Sequence, residues 1–322
     1  MGRTGRIRIG ISGWTYKPWR GTFYPDKLPQ SQELAYASRR FQTIEVNGTF
    51  YGLQKPEAFQ HWRDTTPENF VFSIKGSRYI THMLRLKNIE TPLANFVASG
   101  PLRLGSKLGP ILWQFPPSFK FDENLFDHFL RILPKNTEDA AALAKRHDER
   151  LRSRCWLECE DRQPLRHAVE IRHDSFRSER FIELLRKHGV ALVCADSREW
   201  PLLMDVTADF IYCRLHGSDE LYVSGYDDDA LETWAGRIHA WAHGGEPDNV
   251  ERLTSRLPRS KAGRDVYVYF DNDVKVRAPA DARSLATRLD VVCPDDDQAL
   301  EKAGKDIAEQ ARPHWPPVRR RQ

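Results

Sequence analysis

Read at every second position, a series of short β-rich runs brings one polar set onto a single face: Ser12, then Glu45 and Asn47, Ser73 and Lys75, Gln114, Glu170 and Arg172, Cys194 and Asp196, and Tyr212, Arg214 and His216. Side chains alternate along a strand, so residues of one parity share a face. In the last run either Tyr269 and Asp271 or Phe270 and Asn272 share it, and parity leaves both open. Carboxylates gathered in one enclosed space are expensive unless paired. Lys75, Arg172 and Arg214 are there to balance Glu45, Glu170 and Asp196. The chemistry open to such a set is acid/base work on a small anion. Arg172, Arg214 and Lys75 would hold the anionic group, arginine as a bidentate fork and lysine as a point charge. Glu170 or Glu45 would be the general base, Asp196 a further catalytic carboxylate, and His216 or His173 a proton shuttle near neutral pH. Asn47, Gln114 and Asn272 would orient hydroxyls or stabilise a developing oxyanion. On this reading Glu170→Gln and Arg214→Ala should leave the fold intact and abolish ligand binding.

The segments that follow these runs are rich in aromatic rings, with Trp14 after the first run, Tyr51 in NGTFYG and Tyr222 in HGSDELYVSGY. Rings beside convergent polar groups make a small-molecule pocket, here suited to a sugar- or nucleoside-like phosphate or carboxylate. A second reading takes Glu170, Asp196, His216 and Asp271 as ligands of a divalent metal, as in sugar isomerases and base-excision endonucleases. Arg172 and Arg214 share faces with two of these ligands and would repel a cation, and no H-x-H or H-E-x-x-H pair occurs. No resident cofactor is therefore expected, and a divalent metal stays the alternative. Neither G-x-G-x-x-G opening a helix after a strand nor G-x₄-G-K-[ST] is present, which disfavours dinucleotide and P-loop roles. A third reading is a non-catalytic barrel that binds a ligand or nucleic acid. The Arg-rich end RPHWPPVRRRQ favours it slightly, while a formal net charge of +4 is too mild to identify a nucleic-acid binder.

Eight runs must position these groups: 7–12, 43–47, 70–75, 110–115, 167–173, 190–196, 210–216 and 265–272. Helical spacing fills the gaps. Ser31, Asp122, Ser175 and Asp227 stand where helices should start, Pro56 and Thr91-Pro92 open two more, and Gly189 stops one. Strand and helix alternating eight times predict a parallel sheet closed into a (β/α)₈ barrel, whose C-terminal mouth carries the chemistry. The barrel is expected to take residues 1–290 as one domain. A charged, partly helical insertion at about 134–166 would be a solvated appendage, and residues 291–322 a Pro- and Arg-rich tail. With 40% hydrophobic residues among 322, the chain can bury a large core. Five cysteines in this length do not make a disulfide scaffold. No run of apolar residues is long enough to span a membrane, and no signal-peptide core opens the chain, so it reads as cytoplasmic.

The same residues resemble a known family. IRIGISGW at 7–14, Glu45-x-Asn47-x-Thr49-Phe50-Tyr51, Leu112-Trp113-Gln114-Phe115-Pro116-Pro117, Glu170-x-Arg172-His173, Arg214-x-His216-Gly217 and Tyr269-Phe270-Asp271-Asn272-Asp273 stand in the order seen in the DUF72, or YecE-like, family. The resemblance covers residues 7 to about 290 and implies a TIM barrel; it supplies no reaction. Two positions depart from the family pattern: Asp271 stands where the family often has Asn, and Phe176 where it often has Trp. Asp271 adds a negative charge to the mouth.

Overall fold

The computed structural model describes residues 3–151, 154–217, 225–255, 257, 260, 262–272 and 277–291. Eight parallel strands, β1 (Ile7–Ser12), β2 (Thr43–Val46), β3 (Val71–Lys75), β4 (Leu108–Gln114), β5 (His167–Glu170), β6 (Ala191–Asp196), β7 (Phe210–Leu215) and β8 (Asp265–Phe270), hydrogen-bond in chain order and close into a barrel. β1 pairs with β8 from Ile7↔Val266 to Ile11↔Phe270, which seals the ring. Between the strands run α1 (Glu33–Ser38), α2 (Gly48–Tyr51), α3 (Pro56–Thr65), α4 (Glu90–Ala98), α5 (Glu123–Ile132), α6 (Thr137–Ala144), α7 (Glu179–His188), α8 (Asp228–Ala242) and α9 (Arg277–Arg288). The segment between β6 and β7 carries no helix.

Capping chemistry accounts for several boundaries. Asp122 accepts from Leu125 N, Asn136 from Asp139 N and Asp227 from Ala230 N, each satisfying a first-turn donor. Gly189, at φ 65°, ends α7 in the left-handed conformation that glycine adopts without strain. Two expected starts move. Ser31 sits inside a 3₁₀ turn, Gln30–Gln32, and makes no cap. The Ser175 hydroxyl is taken by Phe121 N, so 174–176 form a 3₁₀ turn and α7 begins only at Glu179.

Alternate residues divide the strands between two cores. Ile9, Ile44, Phe72, Trp113, Val169, Leu192, Cys213 and Val268 face outward and pack under the helices. Inside the barrel lie Val71, Leu112, Ala168, Val193, Tyr212 and Tyr269. Two of the inward tyrosines make polar contacts within the lumen: Tyr269 OH lies 2.8 Å from Thr43 Oγ1, and Tyr212 OH 2.7 Å from Ser73 Oγ.

Residues 134–166 are tied to the barrel, contrary to a solvated appendage. Ala140, Ala144 and Leu151 are buried, Trp156 N donates to Ala98 O, and Glu160 pairs with Arg63. The 292–322 tail falls outside the described residues.

Candidate active site

Above the tyrosine layer a buried ion cluster forms the floor of the mouth. Arg214, on β7, is fully buried. Its Nε and Nη2 fork onto Glu45 at 3.0 and 2.9 Å, Nη1 reaches Glu170 at 2.6 Å, and Nη2 also reaches Asp271 at 2.6 Å. Glu45 further accepts from Ser12 Oγ at 2.5 Å and Tyr212 OH at 2.6 Å, and Glu170 from Gln114 Nε2 at 2.8 Å and Arg172 Nε at 2.7 Å. Removing charge from water is tolerated in such a place only because every charge is paired and hydrogen-bonded. Burial opposes ionisation of Glu170, but Arg172 and Arg214 outweigh it and hold the carboxyl well below the ordinary range. Burial likewise opposes ionisation of Asp271, and Arg214 and His216 overcome it.

Above this floor opens a cavity of about 780 Å³, lined by Asn47, Tyr51, Lys75, Arg78, Arg172 and Asp271 among others. Lys75 ends β3 with its side chain buried and its Nζ 4.6 Å from the centre of the Phe50 ring. Burial, and next the charge of Arg214, lower its pKa to about 8 against the pull of Glu45, Glu170 and Asp271. Thr49 fixes the end of the strand: its hydroxyl donates to Lys75 O at 2.7 Å and accepts from Lys75 N at 3.1 Å. Arg78 lies 5.4 Å over the Tyr51 ring. Among the described residues neither Lys75 Nζ nor the Arg78 guanidinium has a hydrogen-bond or ion-pair partner. Tyr51 and Met83, 67% and 64% exposed, form an apolar rim.

Of the residues expected at the site, Asn47, Tyr51, Lys75, Gln114 and Arg172 come together on the cavity, and Asp271 joins them. Glu45, Glu170 and Arg214 lie beneath it, fully buried. Glu45 and Glu170, the expected general bases, are buried with oxygens that accept from strong donors, and neither is among the residues that line the cavity. His216 is also buried, its Nδ1 3.2 Å from Asp271 and its ring edge-on to Trp200. Arg214 Nη1, always a donor, faces His216 Nε2 at 3.4 Å, which puts the proton of a neutral ring on Nδ1, toward Asp271.

Four expectations fall elsewhere. Asp196 projects to the helix side, where Trp234 Nε1 at 2.9 Å and Tyr226 OH at 3.0 Å donate to it. The inner face of β6 is Ala191, Val193 and Ala195, small residues that leave the lumen to the side chains of β7 and β8. Asn272 also points outward and donates to Asp281 on α9 at 2.9 Å, so Tyr269 and Asp271 are the inward pair of the last strand. His173 accepts from Ser175 N at 3.0 Å as the cap of the turn after β5. Trp14 packs edge-on to Trp62. Tyr222 lies outside the described residues. With Asp196 turned away and Arg214 wedged between Glu170 and Asp271, the proposed metal ligands are not assembled. Among the described residues no group of three or more His, Cys, Asp or Glu could hold an ion.

Comparison with known proteins agrees with this fold. The family model described as "Protein of unknown function DUF72" matches residues 8–302. The chain belongs to the DUF72 family. It is 25% identical over 241 residues to the UPF0759 protein YecE of Escherichia coli O157:H7, covering 73% of this chain and 82% of that one. It is 30% identical over 118 residues to the UPF0759 protein YunF of Bacillus subtilis, 35% of this chain and 41% of that one. Among solved structures, a DUF72 family protein from Thermotoga maritima superposes with a TM-score of 0.64 at 24% identity, over 88% of this chain and 99% of the other.

In this DUF72 chain the sequence reading missed His82. It lies in a short π-helical turn, Tyr79–Met83, after β3 and lines the cavity. Burial, then the charges of Lys75 and Arg172, push its pKa down to about 4, so the ring is neutral at neutral pH. The available signal was position alone, because loops after barrel strands reach the mouth.

Proposed function

We propose that the mouth of the barrel is an active site in which a small anionic substrate, a phosphate or carboxylate of a sugar- or nucleoside-like compound, undergoes acid/base chemistry. The observation that supports this reading is the pair of cations, Lys75 and Arg78, that share one cavity without a partner among the described residues. An uncompensated buried cation is unfavourable, and an anionic ligand would offset it. Among the described residues the lining has Lys75, Arg78 and Arg172, the last paired with Glu170, against the carboxylate Asp271, while Arg214 neutralises much of the charge beneath.

The roles divide by chemistry. Arg172 and Arg78 hold the anion. Gln114, whose amide nitrogen is committed to Glu170, keeps its side-chain oxygen for a substrate hydroxyl. Lys75, with a pKa near 8, is the lining group able to exchange a proton near neutral pH. Asp271 stays ionised and orients what it touches. Glu45, Glu170 and His216 position Arg214 and Asp271 without meeting substrate.

The test is to incubate the protein in deuterated water with a panel of sugar phosphates and oxo acids and follow each compound by proton NMR. Carbon-bound deuterium incorporation that disappears in Lys75→Arg and in Asp271→Asn is expected. Anions that bind without exchange or conversion would make the protein a binding module instead.

A further inference from the structure

We infer that Lys75 is a covalent catalyst, its Nζ condensing with the aldehyde or ketone carbonyl of a substrate whose phosphate or carboxylate rests on Arg78 and Arg172. This rests on the anionic-site reading above and narrows it to carbonyl compounds. The placement of Lys75 carries the argument. Arg78, exposed at the rim, and Arg172, which also pairs with Glu170, line the cavity wall where the anionic group would rest. The lysine is instead set deeper, 7% exposed, at the end of a strand whose backbone Thr49 grips from both sides. Its amine lies 4.6 Å from the centre of the Phe50 ring, and no acceptor among the described residues takes a hydrogen bond from it, which leaves it open to the cavity.

The groups that face Lys75 are Arg214, Glu45, Glu170 and Asp271 from the other strands and Arg78, His82 and Arg172 around the cavity. Burial, and next the charge of Arg214, bring the pKa down to about 8 against Glu45, Glu170 and Asp271, so a fraction of the side chain near neutral pH is the neutral amine, the form that attacks a carbonyl. The step balances without an outside reagent. The Nζ lone pair forms the C–N bond, and the carbonyl π pair, taking one amine proton, becomes a hydroxyl. That hydroxyl and the second amine proton leave as water, and a C=N bond remains. Nothing is oxidised or reduced.

The experiment treats the full chain with pyruvate or with dihydroxyacetone phosphate in the presence of cyanoborohydride, which reduces an imine to a stable amine. Intact mass and peptide mapping then locate the adduct, and calorimetry with orthophosphate reports the anion site separately. The inference expects one adduct per chain, on Lys75, suppressed by excess orthophosphate and forming faster as pH rises through about 8. Lys75→Arg, which keeps the charge and removes the nucleophile, should lose it. Mapping on the unaltered protein decides the matter even where that variant fails to fold. Orthophosphate binding with no adduct, or with adducts scattered over surface lysines, overturns the covalent role and leaves the anion site standing. No orthophosphate binding overturns both.

Discussion

Arg214 bonds three carboxylates at once; without it Glu45 keeps no ion-pair partner among the described residues, while Glu170 keeps Arg172 and Asp271 keeps only its contact with His216. The breaking of a buried ion pair is strongly destabilising because the remaining charge has no partner. Arg214→Met should therefore cost about 3–5 kcal/mol in urea denaturation. A loss below about 1 kcal/mol would mean the cluster does not brace the barrel. This reverses what the sequence suggested, that Arg214→Ala and Glu170→Gln would spare the fold. Residue types and parity had identified the charged set, but whether a charge faces ligand or a neighbouring strand depends on depth, which parity does not encode. Lys75 predicts the opposite sign. Its pKa falls from 10.5 to about 8 on folding, so between those values the unfolded chain binds more protons and stability rises with pH. Below about 8 the full penalty applies, roughly 3 kcal/mol at 1.36 kcal/mol per pK unit. Lys75→Met should be more stable than the unaltered protein at neutral pH, with the difference shrinking from about pH 8 to 10.5. A destabilised Lys75→Met at neutral pH would contradict the account.

At the scale of the element, the end of β3 sets where Lys75 stands. Gly76 follows it, and a Cβ there would meet Trp113 ring carbons at 2.3 and 2.4 Å. Trp113 has nowhere to retreat: it is fully buried, packs against Phe96 and Phe129, and donates to His167 Nδ1 at 3.1 Å. Gly76→Ala should cost about 1–3 kcal/mol by overpacking and weaken anion binding by displacing Lys75. An alanine variant of unchanged stability and affinity would show that the strand end is free to shift. Most of the strands were legible because polar and apolar residues alternate at two-residue spacing, as in TIEV of β2. β6 was read on the wrong face because ALVCAD is apolar at both parities before its terminal Asp196. The choice was made by volume: small alanines stand inside where Tyr212, Arg214 and Tyr269 fill the lumen. Ser175 differs from its expected role because a cap is legible only when no distant donor claims its hydroxyl, and Phe121 N claims that of Ser175.

For the whole molecule, barrel closure was legible from the count and order of strands, and the site's location from the polar ends of those strands. The attachment of residues 134–166 was not, because a charged stretch discloses nothing of the alanine face by which α6 is buried. Closure is what turns residues far apart in the chain into one cavity: Asn47, Lys75, Gln114, Arg172 and Asp271 come from five different strand ends. The central claim is that this cavity receives a small anion. Arg78 tests it most cleanly, because it is exposed at the rim and its loss should leave the core untouched. The decisive measurement is calorimetric titration of orthophosphate into the protein and into Arg78→Ala at low ionic strength, where exposed charges are least screened. The account predicts saturable binding to the unaltered protein and affinity weaker by about tenfold in the variant, the loss of one charge-assisted contact. Equal affinity in the two proteins, or no binding to either, would contradict it.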